Sequence, residues 1–68
     1  MAINNIKDLA LALKAAPSGL TIQQIMALDS ASTVCAYPMA SIQQIRALGY
    51  PLVITTDGTG AAQYKISA

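Results

Sequence analysis

The sequence predicts a small α+β domain in which three helices are followed by a two-stranded β-hairpin. Three observations carry this expectation. Apolar residues recur at helical spacing through the first 48 positions. From Pro51 onward the period changes to two and β-branched residues dominate. Between two such runs lies Asp57-Gly58-Thr59-Gly60, a stretch with the turn chemistry of a hairpin loop.

The first helix is expected over 5–16. Asn4 or Asn5 caps it, and Asp8 falls in the first turn, where the helix dipole favours a negative charge. Ile6, Leu9, Ala10 and Leu13 share one apolar face, Lys14 sits in the last turn, and Pro17-Ser18-Gly19 ends the helix. A second helix is expected over 21–28. Thr21 followed by Gln24 forms a capping box, with Leu20 as a staple toward Ile25. Ile22, Ile25, Met26 and Leu28 are expected to face the core. Asp29-Ser30-Ala31-Ser32 then favours a turn, because Asp and Ser compete for backbone hydrogen bonds.

The third helix turns on Pro38. An interior proline costs about 3 kcal/mol through its missing hydrogen bond and ring clash, whereas the first helical position accepts it. The helix is therefore expected over 38–48, with 33–37 a turn or an offset helical turn. Met39, Ile42, Ile45 and Leu48 are expected as its buried stripe. Ala40, Ser41, Gln43, Gln44 and Arg46 are left outward or at the margins, and Gly49 supplies a left-handed stop.

The hairpin is expected over 52–66, with strands at 52–56 and 62–66 and a glycine-containing loop that supplies positive φ angles. Leu52 and Ile54 are expected to face the core with Tyr64 and Ile66, while Val53, Thr55, Gln63 and Lys65 face out. TIQQIMAL at 21–28 and SIQQIRAL at 41–48 share six of eight positions. Such short amphipathic patterns recur easily, so the repeat carries no functional inference.

Size and composition set bounds on function. Sixty-eight residues make one domain, 1–68. A chain this short buries only about 60% of its unfolded surface, so its core must be densely apolar. Hydrophobic residues make up 54% of the chain, but Phe and Trp are absent, which leaves Ile, Leu, Val, Ala and Met to build that core. There is no His and a single cysteine, Cys35, so neither an internal disulfide nor a Cys/His metal cluster is expected, and a cytoplasmic location follows. Cys35 has no Lys or Arg beside it and reads as a small apolar residue rather than a reactive thiol. The three Asp residues fall in separate elements, Glu is absent, and no base accompanies the hydroxyl residues. No enzyme, cofactor or small-molecule substrate is therefore expected. Roughly 18 consecutive apolar residues are needed to span a bilayer, and the longest helix candidate is interrupted by Lys7, Asp8 and Lys14. The N-terminus also lacks the basic-then-apolar order of a signal peptide. The net charge of +1 is low for nucleic-acid binding judged on charge alone.

Helix, short helix, turn, longer helix, hairpin is the order of a winged helix-turn-helix. SIQQIRALGYPLVITTDGTGAAQYKIS resembles the end of the N-terminal domain of biotin operon repressors and their small prokaryotic relatives. In that family a recognition helix ends in an I-x-x-L-R-x-x-G-Y-like stretch. A strand, a glycine-containing wing turn and a G-Y-x-[LI]-like strand follow. Ile42, Ile45, Arg46, Gly49 and Tyr50 match the first part. Gly58, Gly60, Tyr64 and Ile66 match the second, with Ala61-Ala62-Gln63 lengthening the approach to Tyr64. GLTIQQI resembles the family's entry to its second helix, and the resemblance covers most of the chain. The sequence departs from the family by a short insertion around Pro38. It departs also at Ser32, Thr33, Val34 and Cys35, where the family usually carries basic residues.

The resemblance implies a small double-stranded DNA-binding regulator of the bacterial or phage kind. Helix 38–48 would enter the major groove and the 55–65 wing would lie on the backbone. On that reading Ser41 and Gln44 are the best base-edge readers, since Gln pairs bidentately with adenine and Ser bonds to either edge. Ala40 lies on the same approach. The competing reading is a solvated helix face. Tyr37 would bond a phosphate or stack on sugar, or else pack against the turn. Thr55, Thr56, Thr59 and Lys65 are phosphate candidates or ordinary surface. Arg46 is a late-helix cation or a partner for Asp29 or another surface carboxylate. Gly58 and Gly60 read as turn formers, since no helix N-terminus follows them. The weak charge implies a homodimer and, with roughly two to four phosphates neutralised per protomer, a log–log salt slope of only about −2 to −4. The alternative is a winged-helix protein–protein interaction or dimerisation module without DNA affinity.

Overall fold

Three helices begin where a side chain takes over an orphan backbone N–H, and a fourth begins at a proline, which has no N–H to satisfy. The computed structural model describes residues 2–67, so both end positions of the expected 1–68 domain lie outside the described residues. Four helices precede one hairpin: α1 Ile6–Ala15, α2 Ile22–Leu28, α3 Thr33–Ala36, α4 Pro38–Ala47, β1 Leu52–Thr56 and β2 Ala62–Ile66. Asn5 caps α1 by accepting from the Asp8 amide at 2.9 Å. Thr21 and Gln24 form the expected reciprocal capping box on α2. The element beyond the three expected helices is α3, a single turn capped by Ser32 that occupies the stretch read as a turn or an offset helical turn. Pro38 stands at the first position of α4, as its fixed φ and missing N–H favour.

At the other end of α4 the Gly49 amide donates to Arg46 and the Tyr50 amide to Ile45, with Gly49 at φ +92. This is the double-bonded left-handed cap that a glycine permits. It turns the chain sharply, and the following corner is held by the Ser67 amide on the Pro51 carbonyl at 3.1 Å. β1 and β2 then pair antiparallel in the register Leu52↔Ile66, Ile54↔Tyr64 and Thr56↔Ala62.

Ile3, Leu9, Leu13, Ile25, Cys35 and Ile45 are fully buried at the centre, and burial of each large aliphatic side chain contributes about 1.5–3 kcal/mol. Ile3 was not among the expected core positions. Its amide donates to the Asp29 carboxylate at 3.0 Å and its carbonyl accepts from the Ser32 hydroxyl, which straps the N-terminal segment across the α2–α3 connection. Gly19 performs a similar service between α1 and α2. It sits at φ +81, and a Cβ there would lie 2.8 Å from the Tyr64 carbonyl oxygen, so the chain can pass close enough for Leu20 and Tyr64 to exchange backbone hydrogen bonds at 2.8 Å.

Four burial expectations are corrected. The buried stripe of α4 is Pro38, Ser41, Ile42 and Ile45, not Met39, Ile42, Ile45 and Leu48. Steps of three residues drift around a helix by about 60° each, so Met39 and Leu48 end on opposite flanks, 51% and 66% exposed. Met26 is likewise exposed on α2. Ile54 lies on the core face of the hairpin yet is 48% exposed, because α1 and α2 pack against β2 and leave β1 as an uncovered edge. In the hairpin loop only Gly60 adopts positive φ, whereas Gly58 does not. The Asp57 carboxylate shapes the rest by accepting from the Thr59 amide, the Thr59 hydroxyl and the Ala61 amide.

Candidate nucleic-acid interface

The buried stripe of α4 dictates its opposite face. Residues 38, 41, 42 and 45 point inward, so 40, 43, 44 and 47, which carry the same spacing two residues on, point directly away. Ala40, Gln43, Gln44 and Ala47 are all exposed. This face is short, uncharged and able to approach another surface closely. The sequence places Ala40, Gln43 and Gln44 outward or at the margins but names only Ala40 and Gln44 of these as contact residues, and it does not single out Ala47. Counting outward from the true buried stripe, rather than from Met39, puts all four on one face.

Ser41 is the largest correction among the expected site residues. It is only 3% exposed, and its hydroxyl donates to the Val34 carbonyl at 2.8 Å. The reason lies in the sequence. In a continuous helix the Val34 carbonyl would accept from the amide four residues later, but that residue is Pro38 and has no N–H. Ser41 supplies the missing donor from the next turn, which locks α3 onto α4 and withdraws its hydroxyl from the surface.

Tyr37, Ala40, Ser41 and Gln44 nevertheless meet along one shallow groove of about 420 Å³. Its other wall is formed by Asn5, Ile6, Thr33 and Val34, at the start of α1 and along α3. Tyr37 is 66% exposed, at the mouth of this groove. The remaining expected residues stand elsewhere. Thr56 is exposed at the end of β1, and Thr55 lies on the outer face of the hairpin. Thr59 lines a separate hollow with Thr21, Gln23 and Gln24, and its hydroxyl proton is directed to Asp57 at 2.6 Å. Lys65 also lies on the outer face, where its ammonium donates to the Pro17 carbonyl at 2.7 Å. Neither side chain is a ready phosphate donor.

Electrostatics are sparse around this face. Arg46 is the one cation within α4, and Lys7 and Lys14 line a different groove on α1. Asp29, one of the carboxylates open to Arg46 in the sequence, instead accepts at its two oxygens from the Ile3 and Ala31 amides. Those bonds, the Ile3 one foremost, hold its carboxyl below the usual aspartate range. Asp57 is held low in the same direction, chiefly by the Thr59 hydroxyl and then the Thr59 amide.

Between α4 and the hairpin the surface is apolar. The Tyr64 hydroxyl reaches the Met39 sulfur at 3.7 Å, and Ile54 sits opposite Tyr64 in the strand register. Among the described residues, no helix is long and apolar enough to cross a membrane. Comparison of the chain with known protein-family models, with curated proteins and with solved structures returns no match.

Proposed function

We propose that the chain is a winged helix-turn-helix domain that binds double-stranded DNA, with α4 as its recognition helix and the β1–β2 hairpin as its wing. The observation that carries this reading is the outward face of α4. A helix that enters the major groove gains from small residues where its backbone approaches the bases, and planar amides are one of the side-chain types that read base edges there. Ala40 and Ala47 fill the first requirement, Gln43 and Gln44 the second, and the four lie along one exposed stripe. The order of elements supports the same reading, since α2 packs against α4 and the hairpin follows it directly.

The sparse charge sets the character of the complex. With Arg46 available and Lys65 engaged by Pro17, each protomer neutralises roughly one or two phosphates, and the log–log salt slope is about −1 to −2 per protomer. Affinity then rests on short-range contacts and on pairing of protomers. An amide-shift titration with mixed duplex DNA at low salt tests this. Grouped shifts at Ala40, Gln43, Gln44, Ala47 and Thr56 are expected. Absence of any shift with duplex at low salt would sink the proposal.

A second reading is favoured by one specific observation. Met39 and Ile54 are each about half exposed and both adjoin Tyr64, Met39 at its hydroxyl and Ile54 opposite it in the strand register, which gives an apolar strip between α4 and the hairpin. On this reading the winged helix binds protein, or a second copy of itself, through that strip. Met39→Gln with Ile54→Thr would then abolish association, while leaving the outward amide face of α4 intact.

A further inference from the structure

The sharp corner after α4 creates a feature that the DNA-binding reading does not use. Gly49 turns the chain so that Tyr50 and Pro51 lie beside α1, and the end of β2 closes the floor with Ile66. The result is a groove of about 390 Å³ with mainly apolar walls. Lys7, Leu11 and Lys14 form its α1 rim, and Leu11 is 56% exposed. Half of the chain's four cations thus frame one apolar groove. No Asp side chain among the described residues lines it; Asp8 faces the neighbouring hollow instead.

We propose that this groove docks an acidic amphipathic helix from a partner protein. Lys7 and Lys14 are two helical turns apart, about 10 Å along α1. A partner helix laid along α1 meets both ammonium groups when it carries two carboxylates at the same two-turn spacing. Apolar residues between those carboxylates then cover Leu11, Tyr50 and Pro51, in the manner of a helix seated in a groove. Charge complementarity identifies the occupant by what it excludes. A second copy of this chain offers only Asp8, Asp29 and Asp57, which stand on three separate elements, and each already accepts backbone N–H bonds. None of its helices carries two carboxylates on one face. A DNA backbone would satisfy the lysines but would place phosphates against an apolar floor.

The probe is a synthetic helical peptide of about 15 residues with glutamates two turns apart and leucines midway between them. It is titrated into the labelled full chain at low salt. Amide shifts are expected at Leu11, Tyr50 and Ile66, with affinity reduced about tenfold in Lys7→Glu/Lys14→Glu. A peptide with lysines replacing the glutamates should fail on the wild type and recover binding to that double variant. Leu11→Ser, at an exposed position, should also weaken the acidic peptide while the fold persists. Equal binding of the acidic and basic peptides by the wild type would overturn the proposal. So would no binding of the acidic peptide. A response of Lys7 and Lys14 to duplex DNA or phosphatidylglycerol vesicles, but not to the acidic peptide, would overturn it as well. Gln43→Ala/Gln44→Ala should leave peptide binding unchanged, which separates this test from the test of DNA binding.

Discussion

Ser41→Ala separates a structural hydroxyl from a base reader. In the structure that hydroxyl is buried and donates to the Val34 carbonyl, whose helical partner is missing because residue 38 is proline. Its removal leaves a part-buried acceptor without that donor, at a cost of about 1–3 kcal/mol. Alanine recovers about 0.5 kcal/mol of helix propensity over serine. The net loss is therefore about 0.5–2.5 kcal/mol, and for a domain of this size each kcal/mol corresponds to about 4–8 °C in Tm. The assay is urea and thermal unfolding of Ser41→Ala in two backgrounds, wild type and Pro38→Ala. Alanine at 38 restores an N–H and frees Tyr37, which now sits at φ −123 and ψ 67, from the bias against helical backbone that a following proline imposes, so the Val34 carbonyl gains a new donor. The cost of Ser41→Ala should then shrink by about 1 kcal/mol, a coupling readily measured between neighbouring sites. A neutral Ser41→Ala, or a cost identical in both backgrounds, would refute the reasoning. So would a variant of unchanged stability that loses DNA affinity, since that would return Ser41 to the role of a reader.

The remaining predictions rest on other parts of the fold. Gln43→Ala/Gln44→Ala should leave unfolding within about 0.5 kcal/mol of wild type. It should nonetheless weaken binding to a preferred duplex by about 1–3 kcal/mol per lost bidentate contact, as read by fluorescence anisotropy. Gly19→Ala and Gly49→Ala should differ although both residues hold positive φ. At Gly49 a Cβ meets nothing within 4 Å, so denaturant unfolding should show only the backbone strain, about 1 kcal/mol. At Gly19 it meets the Tyr64 carbonyl at 2.8 Å and disrupts the Leu20–Tyr64 bridge, so the loss should be clearly larger. Acid should destabilise the chain through Asp29 and Asp57, whose carboxyls are held below the ordinary value of 3.8 when folded. A depressed folded pKa gives stability that is present above the unfolded value and lost as pH falls through the folded one. Unfolding midpoints should therefore be flat at neutral pH and fall below about pH 4, and Asp29→Asn should flatten that fall.

The features legible in the sequence were those whose cause is local. The Thr21–Gln24 capping box, Pro38 at a helix start, Gly49 at a helix end and the alternation on either side of Asp57 each act within a few residues, and each stands where expected. Long-range features were not legible. Ile3 is buried because Asp29 and Ser32 hold its backbone, a contact that no periodicity announces. Ile54 alternates correctly but is exposed, because alternation assigns a face and not what covers it. Within the candidate site, Gln44 and Ala40 were legible as outward positions. Ser41 was not, since its burial depends on a carbonyl seven residues earlier and on the proline between them.

The repeated octet shows why local pattern stops short of function in this chain. TIQQIMAL and SIQQIRAL place Ile25 and Ile45 alike, both fully buried. Their first residues share chemistry but not role. Thr21 begins its helix, so its hydroxyl caps the Gln24 amide. Ser41 follows Pro38 by three residues, so its helix is already closed and its hydroxyl turns back to Val34. The glutamines diverge as well. Gln24 is engaged in its own capping box, whereas Gln43 and Gln44 sit mid-helix with no backbone end to serve. Their amides are thus left free for an outside partner, and that freedom comes from the position of Pro38, not from the octet itself. The same proline that set the expected helix start also decides which polar side chains hold the fold and which face outward.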